Sequence, residues 1–192
     1  MDLITFELEL AFRKEGCPVC RLRSRDEARY ISSFLWEFVN DPGIRVHLVN
    51  ALGFCREHAW LRWLRLNSAS HPHVAFPAGL VPSEGCRVCQ IGRKTEQTLE
   101  WLVKHCAEEE FRGWYRASDG LCLPHLRGAH EIAESQKTRV FLIDTAEEKL
   151  GTLAGQLREY LRKHNWDYRD EPKLSEEQSS WIRAVEFFVG KP

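Results

Sequence analysis

The chain has 192 residues, of which 43% are hydrophobic and 29% are charged, and its formal net charge is −1. This length suffices for one good core or for two small modules with an added element, and the composition is typical of a soluble globular protein. The balanced charge excludes the broad basic surface of a general binder of nucleic acid or anionic membranes. No run approaches the roughly 18 apolar residues of a membrane span.

Helical periodicity dominates the first third of the chain. Apolar residues at spacings of three and four predict one amphipathic helix over 2–14 and a second from Cys20 to about Asn40. The sequence Asn40-Asp41-Pro42-Gly43 ends the second helix. Short helices are expected over 44–52 and from Trp60 onward. Residues 1–66 are therefore predicted to form an N-terminal helix and a first helical-hairpin module.

The rest of the chain repeats this plan and then extends it. Serines, prolines and glycines predict a linker over 67–83, and a second helical module is predicted over 84–135. Residues 136–192 are predicted to form C-terminal helices that pack on the modules. Within them, the capping patterns at Asp144 and Ser175 predict the starts of a long helix and of a last helix. No strand-like alternation extends beyond a few residues, so the predicted fold class is all-α.

The cysteines form one pattern that occurs twice. A CxxC pair is followed by a CxxH pair after 34 intervening residues in the first copy and after 32 in the second. The repeat extends beyond the ligands, since Glu27 matches Glu96 at an offset of 69. Three sulfurs and one imidazole are the ligand set of a closed, tetrahedral, structural zinc site. The predicted ligands are Cys17, Cys20, Cys55 and His58 in the first copy, and Cys86, Cys89, Cys122 and His125 in the second.

Two zinc ions per chain are thus expected, one closing each copy on itself. The alternatives are an iron–sulfur centre, a redox dithiol at Cys17–Cys20, and disulfides. Cys106 lies on an apolar stripe and is expected to be a buried, inert thiol, although with His105 it could form a reserve ligand pair. The histidines at 71 and 73 are expected to be exposed loop residues rather than ligands.

The motifs around these ligands resemble a family of bacterial proteins catalogued as a domain of unknown function. The resemblance rests on the segments 15–20, 40–42, 53–60, 118–125 and 170–172. It implies a bacterial, cytoplasmic and helical protein and carries no established activity, substrate or partner.

A non-enzymatic interaction or regulatory module is the predicted function, because both metal sites are coordinatively full and no other catalytic motif occurs. An unknown protein partner is expected, and the oligomeric state is left open. One alternative is a thiol-based redox or metal sensor, with an exposed Cys17–Cys20 pair as its trigger. A second is an RNA or single-strand binder. It is suggested by the arginines and tryptophans Arg21, Arg23, Arg25, Trp60, Arg62, Trp63 and Arg65. An acidic N-terminus without a signal-peptide core and cysteines used for metal favour the cytoplasm.

Overall fold

The computed structural model describes residues 3–38, 40–51, 53–55, 57–59, 85–168 and 170–190. All regular secondary structure within these ranges is helical, which confirms the all-α prediction. No helix in the described part of the chain is both long enough and apolar enough to cross a bilayer.

The α-helices are α1 (Leu3–Phe12), α2 (Pro18–Ser33), α3 (Pro42–Asn50), α4 (Arg87–Glu96), α5 (Thr98–His105), α6 (Glu109–Ala117), α7 (Leu123–Ile132), α8 (Gln136–Arg162) and α9 (Ser175–Val189). A π-helical turn, Phe34–Phe38, continues α2, and a 3₁₀ turn, Trp166–Tyr168, lies between α8 and α9. Residues 57–59 are also helical. The expected linker, 67–83, and most of the helix expected from Trp60 onward lie outside the described residues.

The chain divides into two compact units. Unit 1 comprises Met1–Leu22 and Gln97–Pro192, and unit 2 comprises Arg23–Glu96. Unit 2 is therefore an insertion within the sequence of unit 1. One boundary falls within α2 and the other between α4 and α5, rather than at the expected linker.

The core of unit 1 joins the N-terminal helix to the second sequence repeat. Phe12 at the end of α1 packs edge-on against Phe111 and Tyr115 of α6, with ring centroids 5.4 and 6.1 Å apart. Tyr115 in turn contacts Phe141 of α8 at 5.6 Å. Cys106 is fully buried in the same cluster, as its place on the apolar stripe predicted. These contacts hold α1 against residues that lie about 100 positions later in the chain.

The long helix α8 begins earlier than predicted. It starts at Gln136, so Asp144 lies inside the helix and the expected start there is wrong. Thr138, Phe141, Leu142 and Thr145 are all buried, and their spacings of three and four extend the core-facing stripe upstream of the capping pattern. Burial of that stripe keeps the segment helical, and the capping pattern is left within it.

A hairpin of α8 and α9 completes unit 1. The Lys163 ammonium donates to both carboxylate oxygens of Glu177 at 2.8 Å, and the Arg183 guanidinium donates to Gln156 at 2.6 Å. The last helix begins at Ser175, as predicted, but Ser175 is its first residue and not its cap. Leu174 occupies the cap position, and its backbone N–H donates to Glu177 at 3.1 Å.

Unit 2 has a smaller core of its own. Phe34 and Phe54 pack edge-on at 5.3 Å, beside Ile31 and Val88. The predicted break between the first two helices of the module is confirmed. Asp41 caps α3 by accepting the Ile44 backbone N–H at 2.9 Å, and Pro42 occupies the first turn.

Candidate metal centres

All four cysteine pairs have the same local structure. The backbone carbonyl of the first cysteine in each pair accepts the N–H four residues later, at 2.8 to 3.1 Å, so that cysteine begins a helical turn. The first cysteines are Cys17, Cys55, Cys86 and Cys122. The second ligand of each pair lies in the first turn, and in the two CxxC pairs the unpaired N–H groups and the helix dipole there stabilise a thiolate.

The two CxxH pairs are each entered through a glycine. Gly53 and Gly120 have φ angles of 99° and 79°, a region that other residues rarely adopt. Each glycine turns the chain two residues before its cysteine, which explains why both copies of the sequence contain Gly, a large apolar residue and Cys at this point.

The four pairs combine differently from the prediction. Cys17, Cys20, Cys122 and His125 form one cluster in unit 1, and Cys55, His58, Cys86 and Cys89 form the other in unit 2. The predicted closure of each copy on itself is therefore wrong. Each CxxC pair joins the CxxH pair of the other copy, so the sites are nested in the sequence.

The cause of this crossing is the N-terminal helix, which has no counterpart before the second CxxC pair among the predicted elements. Leu8, Ala11 and Phe12 of α1 are buried in the unit 1 core together with residues of α6 and α8. This packing brings Cys17 and Cys20, at the start of α2, beside Cys122 and His125, at the start of α7.

In the unit 1 site the imidazole lies among the three sulfurs. His125 Nδ1 is 3.5 Å from Cys17 Sγ, 3.3 Å from Cys20 Sγ and 3.1 Å from Cys122 Sγ. The sulfurs of Cys20 and Cys122 are 3.6 Å apart. The three cysteines are buried and His125 is partly exposed.

The unit 2 site has the same geometry and is more deeply buried. His58 Nδ1 is 3.2, 3.6 and 3.3 Å from the sulfurs of Cys55, Cys86 and Cys89. The sulfurs of Cys55 and Cys89 are 3.6 Å apart. His58 and Cys86 are both 0% exposed.

These distances fit one tetrahedral metal ion in each site. With zinc–sulfur bonds of about 2.3 Å and zinc–nitrogen bonds of about 2.0–2.1 Å, tetrahedral ligands lie about 3.8 Å apart for two sulfurs and about 3.6 Å for sulfur and nitrogen. The observed separations are slightly shorter than these values. All seven cysteines of the chain are described and free, so the disulfide alternative is not seen.

The electrostatics of both sites also call for a cation. Burial and the neighbouring sulfurs raise the pKa of the Cys17 and Cys89 thiols, because adjacent thiolates repel one another away from water. Burial alone would lower the pKa of His58, yet the hydrogen bond to Cys86 and the nearby Glu27 carboxylate raise it to about 10. A divalent cation would remove the repulsion between the sulfurs, and each donor set could hold one.

Glu27 supports the unit 2 site from behind its histidine. Its Oε2 atom is 3.4 Å from His58 Nε2, the ring nitrogen that faces away from the sulfurs. Although burial raises the pKa of the Glu27 carboxyl, the nearby His58 imidazole and the hydrogen bond from Arg23 lower it below its usual value. A carboxylate on the outer nitrogen fixes the tautomer of a metal-binding histidine and increases its basicity.

The Glu27 carboxylate is itself held in place by two helices. Arg23 on α2 donates to Glu27 at 2.9 Å and to Glu96 on α4 at 2.6 Å. Gly92 leaves the space that the Glu27 carboxylate occupies beside α4, because a Cβ atom there would lie 2.2 Å from Glu27 Oε1. Sequence reasoning recorded Glu27 and Glu96 only as a repeated pair and missed this role.

The unit 1 site is covered by the end of the last helix. Gly190, with a φ angle of 77°, follows α9, and a Cβ atom there would lie 3.3 Å from Cys20 Sγ and 3.6 Å from Cys122 Sγ. On another side, Asp119 accepts the Gly16 N–H at 2.6 Å and links the two cysteine turns. A cavity of about 300 Å³ between α6, α8 and α9 reaches Cys17 and Cys122.

The other candidate ligands are not in these clusters. His105 stacks on Trp101 with ring centroids 3.4 Å apart, and its Nδ1 atom is 2.9 Å from the Trp101 carbonyl. Burial raises the pKa of Cys106 to about 12. Within the described ranges, neither residue joins a group that could hold a metal ion. The histidines at 71 and 73 lie outside those ranges.

Comparison with known proteins gives two matches and no activity. The "Family of unknown function (DUF6062)" matches residues 1–67. The chain is 22% identical over 198 residues to the "Uncharacterized 23.9 kDa protein in xynA 3'region" of Caldicellulosiruptor sp. (strain Rt8B.4), covering 93% of this chain and 97% of that protein. No solved structure matches. The two matches confirm the expected resemblance to an uncharacterised bacterial family.

Proposed function

We propose that this protein is a zinc-stabilised helical scaffold that acts as a non-enzymatic interaction or regulatory module. The observation that supports this function best is the pair of buried clusters, each with three sulfurs and one imidazole at tetrahedral spacing. Four protein ligands leave no open position on the ion, and zinc catalysis needs one. Zinc would be held by Cys17, Cys20, Cys122 and His125 in unit 1, and by Cys55, His58, Cys86 and Cys89 in unit 2.

The nested arrangement makes both ions contribute to folding. The unit 1 site joins Cys20 and Cys122, which are 102 residues apart, and the unit 2 site joins Cys55 and Cys89, which are 34 apart. A threefold longer closed loop removes about 1 kcal/mol more conformational free energy from the unfolded chain. Metal binding energy then becomes folding energy, so removal of zinc should unfold the units.

Zinc is favoured over an iron–sulfur cluster because the donors surround a single point. All ligand atoms of each cluster lie within 4.8 Å of one another. A cluster of several iron and sulfide ions needs its cysteines spread around a larger centre. Soft thiolates with one imidazole in tetrahedral geometry are the set that zinc prefers.

Elemental analysis of protein purified without added metal tests this proposal directly. Two zinc ions per chain are expected, together with loss of helical signal in circular dichroism when a strong chelator removes them. Iron with visible absorbance would refute the zinc assignment. Retention of full helicity and thermal stability after complete zinc removal would refute the structural role.

Redox sensing is a second candidate, favoured by the cavity in unit 1. Cys17 and Cys20 are buried rather than exposed, so the predicted trigger is not freely accessible. The cavity nevertheless reaches the Cys17 and Cys122 sulfurs, and a small oxidant of that size would gain access to zinc-bound thiolates. Peroxide titration should then release the unit 1 zinc reversibly. Zinc release only together with irreversible damage would exclude this candidate.

The partner is proposed to be a protein, and the compartment the cytoplasm, where free thiolates persist. Two of the arginines that suggested nucleic-acid binding are held by carboxylates, Arg23 by Glu27 and Glu96 and Arg25 by Asp26. The remaining residues of that set include 60–65, which lie outside the described ranges. Salt-dependent retention on heparin or mixed RNA would favour the nucleic-acid alternative instead.

A further inference from the structure

The last helix presents a row of mostly apolar, exposed residues on the side that faces away from its own core. Its outer seam, defined as Leu174, Gln178, Trp181, Val185 and Phe188, follows alternating spacings of four and three residues. All five side chains are exposed, with Trp181 at 50%, Val185 at 55% and Phe188 at 62%. Ile182 and Val189 are exposed beside the seam. Ser180 is buried on another side of the helix, and Glu177, four residues before Trp181, is buried at the edge of the seam.

This spacing is that of a helix that pairs with another helix. Apolar residues every 3.5 positions form the contact line of two packed helices, whereas burial against a globular core requires only the inner face. The inner face of α9 already performs that second role through contacts with α8, such as the bond from Arg183 to Gln156. The outer seam is therefore a second contact line on the same helix.

We propose that the outer seam is the self-association surface of this protein and that two copies pair through antiparallel α9 helices. The area supports a second copy as the occupant. From typical side-chain areas and the exposed fractions above, the seam and its two flanking residues expose on the order of 600 Å² of apolar surface per copy. Two such faces approach the lower end of the roughly 1,200–2,000 Å² that a specific interface buries.

The antiparallel direction follows from the side chains in the seam. In a parallel pair, Trp181 would lie opposite the same tryptophan of the other copy, and the two Gln178 side chains would lie opposite each other. In an antiparallel pair centred near position 183, Trp181 lies opposite the partner's Val185, and Gln178 lies opposite the partner's Phe188. Placing a large side chain opposite a smaller one allows the two faces to interdigitate without voids. Antiparallel helices also place opposite dipole ends side by side.

The charges of α9 argue against a lipid surface as the occupant. Helices that lie on anionic membranes flank their apolar stripe with lysines and arginines. The helix α9 carries a single cation, Arg183, beside Glu176 and Glu186, and its third acidic residue, Glu177, is paired with Lys163. Without a basic border, α9 would gain little attraction from an anionic lipid surface.

Sedimentation equilibrium of the full zinc-loaded chain tests the proposal. The wild type should be in monomer–dimer equilibrium, and Val185→Glu should raise the dimer dissociation constant by about 100-fold or more, since a two-fold interface contains each substitution twice. Val46→Glu is the matched control, because Val46 lies on α3 and is 59% exposed. It should leave the dissociation constant unchanged. Circular dichroism and zinc content should be the same in all three proteins.

A mixing experiment tests the direction of pairing. Val185→Glu and Trp181→Lys should each be monomeric alone, and an equimolar mixture should form heterodimers. In the antiparallel register the introduced carboxylate faces the introduced ammonium, whereas in a parallel register they do not meet. A wild type that stays monomeric at high micromolar concentration would overturn the proposal, as would an equal loss of dimer in Val46→Glu. Failure of the mixture to associate would overturn the antiparallel register.

Discussion

The Glu27 carboxylate should determine how tightly the unit 2 site holds its metal. Glu27→Gln keeps the size of the side chain and removes the charge that faces His58 Nε2 at 3.4 Å. Loss of a carboxylate behind a metal-binding histidine typically weakens metal affinity by about 10–100-fold. The long distance places this contact near the lower limit, about tenfold, which corresponds to about 1.4 kcal/mol. Arg23 keeps Glu96 as a partner, so the helices α2 and α4 should remain in place.

Competition with a chromophoric zinc chelator measures this effect, because two equivalents of zinc can be followed as they leave the protein. In Glu27→Gln one equivalent should be lost at about tenfold lower chelator strength, and the other should behave as in the wild type. Glu96→Gln is the matched control, since it also removes a carboxylate that pairs with Arg23. Unchanged release of both equivalents in Glu27→Gln, or the same shift in Glu96→Gln, would refute this role.

Four further substitutions test other parts of the structure. Gly190→Ala should destabilise the protein by about 1–3 kcal/mol, because alanine is strained at this positive φ and its Cβ atom would lie only 3.3 Å from Cys20 Sγ. Gly151→Ala, at an exposed α8 position with no atom within contact distance of the new Cβ, should instead stabilise the protein by about 0.5–1 kcal/mol. Chemical denaturation measures both changes, and a change of the same sign at both glycines would contradict this explanation. Cys106→Ala should retain two zinc ions by elemental analysis, and its free energy of unfolding should fall by about 1 kcal/mol because a buried sulfur is lost. Loss of a zinc ion in this variant would instead show that Cys106 is a ligand. Lys163→Met should lower the melting temperature by leaving the Glu177 carboxylate without its partner at the start of α9, and an unchanged melting temperature would show that the pair is dispensable.

Much of the fold followed from local patterns. The spacing of apolar residues located the helices around Tyr115 and Leu126, and Asp41 with Pro42 marked the break before α3 because capping depends only on neighbouring residues. The start of α8 was predicted too late, because it depends on residues that are distant in the sequence. A cap pattern at Asp144 is outweighed by tertiary burial of Phe141 and Leu142, which a local pattern does not contain.

The eight residues of the two clusters were also predictable, and their pairing was not. Two nearly equal repeats offer each CxxC pair two chemically identical CxxH partners, so spacing alone cannot choose between them. The choice depends on long-range packing of Phe12 against Phe111 and Tyr115. One asymmetry in the sequence did point to it, since the first copy is preceded by an amphipathic helix and the second by a segment rich in serine and proline.

The residues that surround the two clusters were harder still to predict from the sequence. The Glu27 carboxylate lies beside His58 in space that Gly92 leaves free, and Gly190 covers two sulfurs from the far end of the chain. Each contact joins residues with no local relation to one another. The match of Glu27 to Glu96 between the two repeats was the only sequence signal for the contact of Glu27 with His58. No sequence pattern indicated the contact of Gly190 with the sulfurs.

Zinc content of two double variants tests the nested pairing most directly. Cys20→Ser with Cys122→Ser removes two ligands from one site, so the protein should retain one zinc ion after a chelator wash. Cys20→Ser with Cys55→Ser removes a ligand from each site and should leave none tightly bound. If each copy closed on itself, the results would be reversed, with the second double variant retaining one zinc ion and the first retaining none.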